Sequence, residues 1–156
     1  MNAGARVAEA AREAIGARFR LHGRDPATGL DCVGLAALAL NLEVPRGYAL
    51  RYDDVAHVVR VIEAAGLVPV TDVRAGDLVL LRAGPGQLHF AIQTETGMIH
   101  ADAMLRRVVE RCELVWPVIG RWRTGDGHGD NGVDGRRQPD GRAGGRRDRR
   151  IARQCP

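Results

Sequence analysis

The sequence contains no lysine, few aromatic residues and three cysteines among its 156 residues. All 23 basic residues are arginine, which we attribute to a GC-rich genome rather than to function. Cys32, Cys112 and Cys155 form an odd set without the spacing of a disulfide framework, so a disulfide-stapled secreted domain is not expected. No apolar run approaches a membrane span, and the amino-terminal residues lack the apolar segment of a signal peptide. We therefore expect a protein made in a reducing cytoplasm, with a free thiol.

The positive charge of the chain is concentrated at its carboxyl end. Residues 124–156 hold eight arginines and five aspartates, a net charge of +3, and eight of the 20 glycines. Since the whole chain carries +4, residues 1–123 carry only +1 and offer no basic face for nucleic acid. The tail has too few apolar residues to offset the entropy of ordering it. We predict one folded domain over residues 1–123 and a disordered Gly/Arg/Asp-rich tail over residues 124–156. The alternatives for the tail are a basic arm that binds nucleic acid or another anionic polymer, and a sequence shaped by an overlapping reading frame.

Residues 29–40 are the most informative stretch of the sequence. Turn residues 26–29 precede a small aliphatic segment, which predicts a buried helix with Leu35, Leu38 and Ala39 on one face. Asp31 lies where an N-cap belongs and Cys32 at the first helical position, where the helix dipole favours a thiolate. Burial would instead raise the pKa of Cys32, so this interpretation requires the thiol to lie at a cleft. The alternative is an ordinary buried cysteine.

The remaining sequence predicts helices followed by strands. Apolar residues recur at helical spacing over residues 3–18, in the cysteine helix to about residue 42, and from an Asp53 or Asp54 cap up to Gly66. From residue 73 onward the apolar residues come in short runs between turns. We expect a short strand or extended linker at residues 67–70, and a meander of antiparallel strands at residues 78–81, 88–92 and 98–101. Residues 107–115 and 118–123 are predicted to add two further strands.

Two histidines fall within these predicted strands, and a third precedes the cysteine helix. His89 and His100 lie on neighbouring strands, and a cysteine at a helix start with two such imidazoles is the arrangement of a cysteine hydrolase. His22 lies ten residues before Cys32. It either lines the cleft or is an exposed loop residue. His57 lies beside the apolar stripe of the helix before Gly66 and is interpreted as a solvated residue.

Four of these segments together resemble the NlpC/P60 cysteine peptidases. The segments are residues 29–35 (GLDCVGL), 76–79 (GDLV), 88–92 (LHFAI) and 98–101 (MIHA), which match in order and spacing. With residues 19–22 (FRLH), the sequence is most similar to the short cell-wall peptidases of tailed phages and gene transfer agents. The resemblance covers roughly residues 5–123. Each motif alone is weak, but four in register are fairly specific.

The resemblance implies an α+β fold with a papain-like NlpC/P60 core, in which a cysteine-bearing helix packs on an antiparallel β-sheet. It implies Cys32 as nucleophile, His89 as general base and His100 as the group that orients His89. The implied activity is hydrolysis of peptidoglycan stem peptides, at the D-γ-glutamyl–diamino acid bond. His22, Asp31 and Val33 are implied to lie on the substrate side. Val33 replaces the usual serine and His22 the usual tyrosine, so the preferred stem peptide stays open.

The chemistry of these residues is consistent with amide hydrolysis. Cys32 and His89 can form an ion pair that supplies a nucleophile and a proton donor for the leaving amine. The backbone N–H of Cys32 at a helix start is a natural oxyanion donor, and His22 is a weaker candidate for a second donor. His100 would fix the tautomer and orientation of the His89 ring, as the third member of a triad does.

Three other functions fit parts of the pattern. Cys32, His89 and His100 could form a catalytic zinc site, although no close-spaced ligand pair supports it. A thiol amidase or acyltransferase would use the same residues on another substrate, and a virion or tail-assembly protein would keep the fold as a structural part. We expect no cofactor, no metal, no nucleic acid and no membrane span. The expected partners are a peptidoglycan stem peptide and phage-tail or gene-transfer-agent proteins, and without a signal peptide a virion or tail location would bring the enzyme to the cell wall.

Overall fold

The computed structural model of the protein describes residues 1–44 and 54–125. The predicted loop at residues 46–52 and the predicted tail from residue 126 onward lie outside the described residues. Among the described residues, no helix is long and apolar enough to cross a membrane. The described elements are, in chain order, α1 (Ala3–Glu13), β1 (Arg24–Asp25), β2 (Gly29–Leu30), α2 (Cys32–Leu40), α3 (Val55–Ala64), β3 (Leu67–Val70), β4 (Leu78–Gly84), β5 (Gln87–Gln93), β6 (Met98–Asp102), β7 (Arg107–Arg111) and β8 (Val118–Thr124).

The cysteine-bearing helix α2 is the most enclosed element of the fold. Eight of its nine residues are buried, and it packs against α1 and the sheet. Asp31 caps its start, and Asn41, in the left-handed conformation with φ of 53°, ends it slightly earlier than predicted. Leu38 is 38% exposed, so the predicted apolar face through Leu38 is wrong. The helix is buried on its other sides instead.

The two flanking helices differ from their predictions mainly at their ends. α1 ends at Glu13 rather than near residue 18, because Gly16 adopts a φ of 92° that turns the chain toward the first extended segment. α3 begins after Asp54, whose side chain accepts the backbone N–H of His57 at 2.9 Å. Gly66, with a φ of 89°, follows the end of α3 as predicted. His57 is exposed.

The sheet has six strands in the order β3-β8-β4-β5-β6-β7, and all neighbouring pairs are antiparallel. Strands β4 to β6 form the predicted meander, and β7 continues it. The last strand does not continue it: β8 lies between β3 and β4. Trp122 of β8 faces both Pro69 and Leu78 in the strand registers and is buried in the core. Burial of this large side chain explains why β8 returns to the middle of the sheet. Pro69 lies on the edge strand β3, where a missing N–H is tolerated.

The sheet has apolar side chains on both faces. The larger cluster joins the helices to one face and includes Leu88, Phe90 and Ile92 of β5 together with Cys32 of α2. A smaller cluster on the other face is formed by Val79, Leu81 and Ala91, with Met98, Leu114 and Trp116 packed against it. Leu88, Phe90 and Ile92 share one face of β5 and Ala91 lies on the other, because successive side chains of a strand point to opposite faces. The architecture confirms an α+β fold with the cysteine-bearing helix packed on an antiparallel sheet.

Candidate active site

Cys32 is the first residue of α2, and the preceding residues hold this helix start in place. Asp31 is buried, and its carboxylate accepts the backbone N–H groups of Gly34 and His22, both at 2.8 Å. Its Oδ1 also accepts a hydrogen bond from Arg24 Nη1 at 2.9 Å, in a largely buried ion pair. The hairpin formed by β1 and β2 is therefore tied to the start of α2 through one carboxylate.

Two glycines allow this hairpin to approach the helix closely. A Cβ on Gly34 would lie 2.0 Å from the carbonyl oxygen of Gly23, and a Cβ on Gly23 would lie 2.1 Å from the carbonyl oxygen of Gly29. Both obstructions are backbone atoms, which cannot rotate aside as a flexible side chain can. Glycine is therefore required at position 34 for the first turn of α2 to pack against the segment before β1, and at position 23 for that segment to approach β2.

Strands β5 and β6 separate where the two strand histidines lie. The strands pair at two positions only among the described residues, Ile92 with Ile99 and Gln93 with Met98. His89 lies toward the start of β5 and His100 toward the end of β6, both beyond this paired section. In this part of the two strands the side chains are in contact, since His89 Nε2 and His100 Nδ1 are 2.9 Å apart.

The Cys32 thiol lies against this separated part of β5. The backbone N–H of Phe90, the residue after His89, is directed at the sulfur and acts to lower the pKa of the thiol. Burial has the larger effect, because Cys32 is only 4% exposed, and it raises the pKa of Cys32 to about 12. The expectation of a thiolate favoured by the helix start is therefore wrong for the resting protein, in which the thiol is protonated.

This burial leads to a prediction for thiol reactivity. Only the thiolate reacts with iodoacetamide, so a pKa near 12 leaves Cys32 less reactive at pH 7 to 8 than an ordinary cysteine, whose pKa is about 8.5. We expect the alkylation rate of Cys32 in the folded protein to keep rising beyond pH 9.5. Peptide mapping by mass spectrometry measures the rate at Cys32, and the same protein in urea serves as the control. A midpoint at or below about 8.5 would contradict the burial argument.

The two imidazoles are also neutral in the resting protein. Burial, followed by the neighbouring His100, lowers the pKa of His89 to about 3. Burial likewise lowers the pKa of His100, which is 1% exposed. A neutral imidazole carries one proton on its two nitrogens, so the contact between the rings is a hydrogen bond whose direction depends on the tautomers. The free thiol and the histidine pair therefore start as neutral groups.

Trp116 covers the histidine pair from the segment between β7 and β8. Its ring centroid lies 5.1 Å from that of His89 and 5.8 Å from that of His100, with edge-to-face geometry at both. The two histidine rings are themselves 5.1 Å apart at an interplanar angle of 81°. The indole thus contributes to the burial that keeps both imidazoles uncharged.

The other residues predicted for the site occupy different surroundings. His22 has an exposed side chain and a φ of 59°, and its backbone N–H, rather than its ring, contacts Asp31. Val33 is buried and lines an apolar cavity between α2, α3 and the sheet. Substrate contacts by His22, Asp31 and Val33 stay predictions. Cys112 is half-buried and disulfide-bonded, whereas Cys32 is a free cysteine.

Sequence reasoning missed three residues around the site: Arg24, Asp102 and Trp116. Asp102 could have been found, since it follows His100 by two positions in a strand and so lies on the same face. Trp116 reaches the histidines through a bend between strands, for which no local pattern exists. Among residues 1–44 and 54–125, no group of three histidine, cysteine or acidic side chains is arranged to hold a metal ion.

Comparisons with known proteins give a likeness in structure only. Neither protein-family models nor curated proteins match the chain significantly. NlpC1 from Trichomonas vaginalis superposes with a TM-score of 0.56 at 20% identity, covering 79% of this chain and 44% of that chain. NlpC2 from the same organism gives a TM-score of 0.59 at 19% identity, covering 79% and 47%. The NlpC/p60 domain of peptidoglycan hydrolase SagA gives 0.47 at 30% identity, covering 69% and 86%.

The two Trichomonas vaginalis structures establish the fold. This chain has an α+β fold in common with NlpC1 and NlpC2, and it spans less than half the length of either.

Proposed function

We propose that the chain is a member of the NlpC/P60 family and hydrolyses an amide bond of peptidoglycan stem peptides with Cys32 as nucleophile. One observation carries the proposal: the free thiol at the capped start of α2 lies against the backbone of β5 next to His89, whose ring is bonded to His100. The shared fold and the four sequence motifs support the family, and the motifs supply the substrate class.

The mechanism starts from neutral groups. His89 uses Nε2 to contact His100, which leaves Nδ1 to accept the Cys32 proton. As the sulfur attacks the carbonyl carbon, this proton moves to Nδ1, and the developing oxyanion is stabilised by the backbone N–H of Cys32. The imidazolium then gives its proton to the leaving amine as the C–N bond breaks. Water, deprotonated by His89, hydrolyses the thioester and restores the thiol.

Because the thiol and the imidazole are both neutral, proton transfer accompanies substrate attack rather than preceding it. The buried setting disfavours an isolated thiolate and an isolated imidazolium alike. A thiolate and an imidazolium that form together stabilise each other, and a polar substrate and the helix start add to this. The cost of burying charge is therefore smaller for the pair than for either ion alone. This accounts for a nucleophile that is unreactive toward solvent yet competent within a bound complex.

The finer parts of the proposal rest on the resemblance of the motifs. The bond is the D-γ-glutamyl–diamino acid bond, and the chain derives from a phage or a gene transfer agent. A virion or tail-associated location, with phage-tail or gene-transfer-agent proteins as partners, would bring such an enzyme to the cell wall. The folded catalytic domain is proposed to comprise residues 1–123, and Thr124, which was predicted to begin the tail, is instead the last residue of β8.

Digestion of purified peptidoglycan tests the function directly. The full chain, incubated with sacculi, should release fragments whose new amino terminus belongs to the diamino acid, identified by mass spectrometry. We expect the same products with and without EDTA, because the proposed chemistry uses a thiol and imidazoles. Cys32→Ser is the matched control and should release none.

Other results would contradict the proposal in distinguishable ways. Cleavage lost in EDTA and restored by zinc would favour a metal site. Cleavage at another amide, or transfer to an added amine, would identify a different thiol hydrolase or an acyltransferase. If no stem peptide is cleaved, a structural role for the protein is favoured instead.

A further inference from the structure

We propose that Asp102 is a positioning residue that sets the tautomers of both site histidines, an inference that rests on the proposed function. Asp102 Oδ2 lies 3.7 Å from His100 Nε2, on the side of the ring opposite to His89. His100 Nε2 is buried and has no hydrogen-bond partner in the described part of the chain. Thus an unpartnered ring nitrogen, in a side chain that is 1% exposed, faces a carboxylate.

The Asp102 carboxylate is held in this orientation by its own turn. Its Oδ1 accepts the backbone N–H groups of Met104 at 2.8 Å and Leu105 at 2.9 Å. These two bonds fix the carboxylate plane at the end of β6 and direct the second oxygen toward His100. The side chain is only 12% exposed, so water screens the carboxylate poorly.

The tautomers follow from this geometry step by step. A carboxylate oxygen only accepts hydrogen bonds, and at 3.7 Å its negative charge favours the proton of neutral His100 on the facing Nε2. His100 Nδ1 then has a lone pair and accepts the hydrogen bond from His89 Nε2–H across the 2.9 Å contact. The proton of neutral His89 is therefore on Nε2, and its Nδ1 is free to accept the Cys32 proton. The opposite arrangement would protonate His89 Nδ1 and remove the base.

The charge of Asp102 also acts on the reaction itself. Its carboxylate raises the pKa of both His89 and His100, opposing the effect of burial. Arg111 of β7 acts in the other direction and lowers the pKa of His100. When His89 becomes an imidazolium, the Asp102 carboxylate on the far side of His100 provides a negative charge that stabilises it.

The variant that separates this role from a purely structural one is Asp102→Asn. Asparagine keeps an Oδ1 to accept the Met104 and Leu105 N–H groups, so the turn is retained. Its NH2 group would face His100 Nε2 and require a lone pair there. Both histidines should then change to the Nδ1–H tautomer. We expect kcat to fall by about tenfold or more with little change in KM, because the substrate is bound but the base is blocked.

The tautomers can be read directly by 15N NMR of the full chain at pH 7.5. We expect Nε2–H signals for His89 and His100 in the wild type and Nδ1–H signals in Asp102→Asn, with assignments from His89→Gln and His100→Gln. Asp54→Asn, which removes one carboxylate at the start of α3, is the matched control and should change neither the tautomers nor kcat.

The outcomes separate this inference from the proposed function. An Nδ1–H tautomer at His100 in the wild type would overturn the role of Asp102, whether or not peptidoglycan is cleaved. Unchanged tautomers and unchanged kcat in Asp102→Asn would overturn it as well. Absence of peptidoglycan cleavage by the wild type would refute the proposed function, while the wild-type tautomers would still decide the role of Asp102, even if the variant failed to fold.

Discussion

Replacing Cys32 or His89 by alanine should reduce hydrolysis of peptidoglycan stem peptides by more than about 10³-fold each. In the proposed mechanism the Cys32 thiol forms the acyl intermediate, and His89 moves its proton through Nδ1 because Nε2 contacts His100. The double variant should be no slower than either single variant, because the two residues act as one unit. Initial rates on a purified muropeptide, followed by chromatography and mass spectrometry, measure the effect.

A graded series of histidine variants provides the controls. His57 is exposed on α3, and His57→Ala should leave the rate unchanged. His100→Gln keeps an acceptor for the His89 ring and should lose about 10- to 100-fold, less than His89→Ala. The rate of His100→Ala should lie between the rates of His100→Gln and His89→Ala. Equal rates for His89→Ala and wild type would refute the assignment of the general base.

In the proposed mechanism the neutral resting state means that the charged thiolate–imidazolium pair is not already present in the free protein. A preformed ion pair would require the thiol to have a lower pKa than the imidazole. Here burial has the opposite effect: it raises the pKa of Cys32 to about 12 and lowers the pKa of His89 to about 3. Substrate binding must therefore supply the stabilisation of the charged pair, and that stabilisation belongs to the transition state rather than to the free protein.

Much of the fold followed from local patterns in the sequence. Asp31 before a small aliphatic run predicted the helix start at Cys32, because N-capping and helix formation depend on neighbouring residues. The apolar run around His89, bounded by turn residues, predicted the strand that is β5. Asp54 and Gly66 likewise marked the bounds of α3. Each of these features depends on residues within a few positions of one another.

What the sequence did not predict depends on distant residues. The position of β8 between β3 and β4 is set by contacts of Trp122 with strands that lie far away in the chain. The raised pKa of Cys32 has the same origin, because the helix start favours the thiolate but tertiary packing buries it. Trp116 covers the histidines through a bend that has no periodic pattern. These features required the assembled sheet.

The inserted strand β8 is held in place by a buried ion pair. Asp77, just before β4, is fully buried and accepts the Arg123 guanidinium through Nε at 2.7 Å and Nη2 at 3.0 Å. The same carboxylate accepts the backbone N–H of Arg74 at 2.8 Å. Asp77 accordingly joins the start of β4 to the end of β8. Its place in the GDLV motif is explained by this structural role rather than by catalysis.

Asp77→Ala should therefore lower the free energy of unfolding by about 3 kcal/mol or more, because it leaves Arg123 and a backbone N–H without their partner in a buried site. Asp72 is the matched control: it also contacts Arg123, but its side chain is 50% exposed. Asp72→Ala should cost much less than Asp77→Ala, since water screens that pair. Urea unfolding followed by circular dichroism measures both. Equal losses for the two variants would show that the buried pair does not hold β8 against β4.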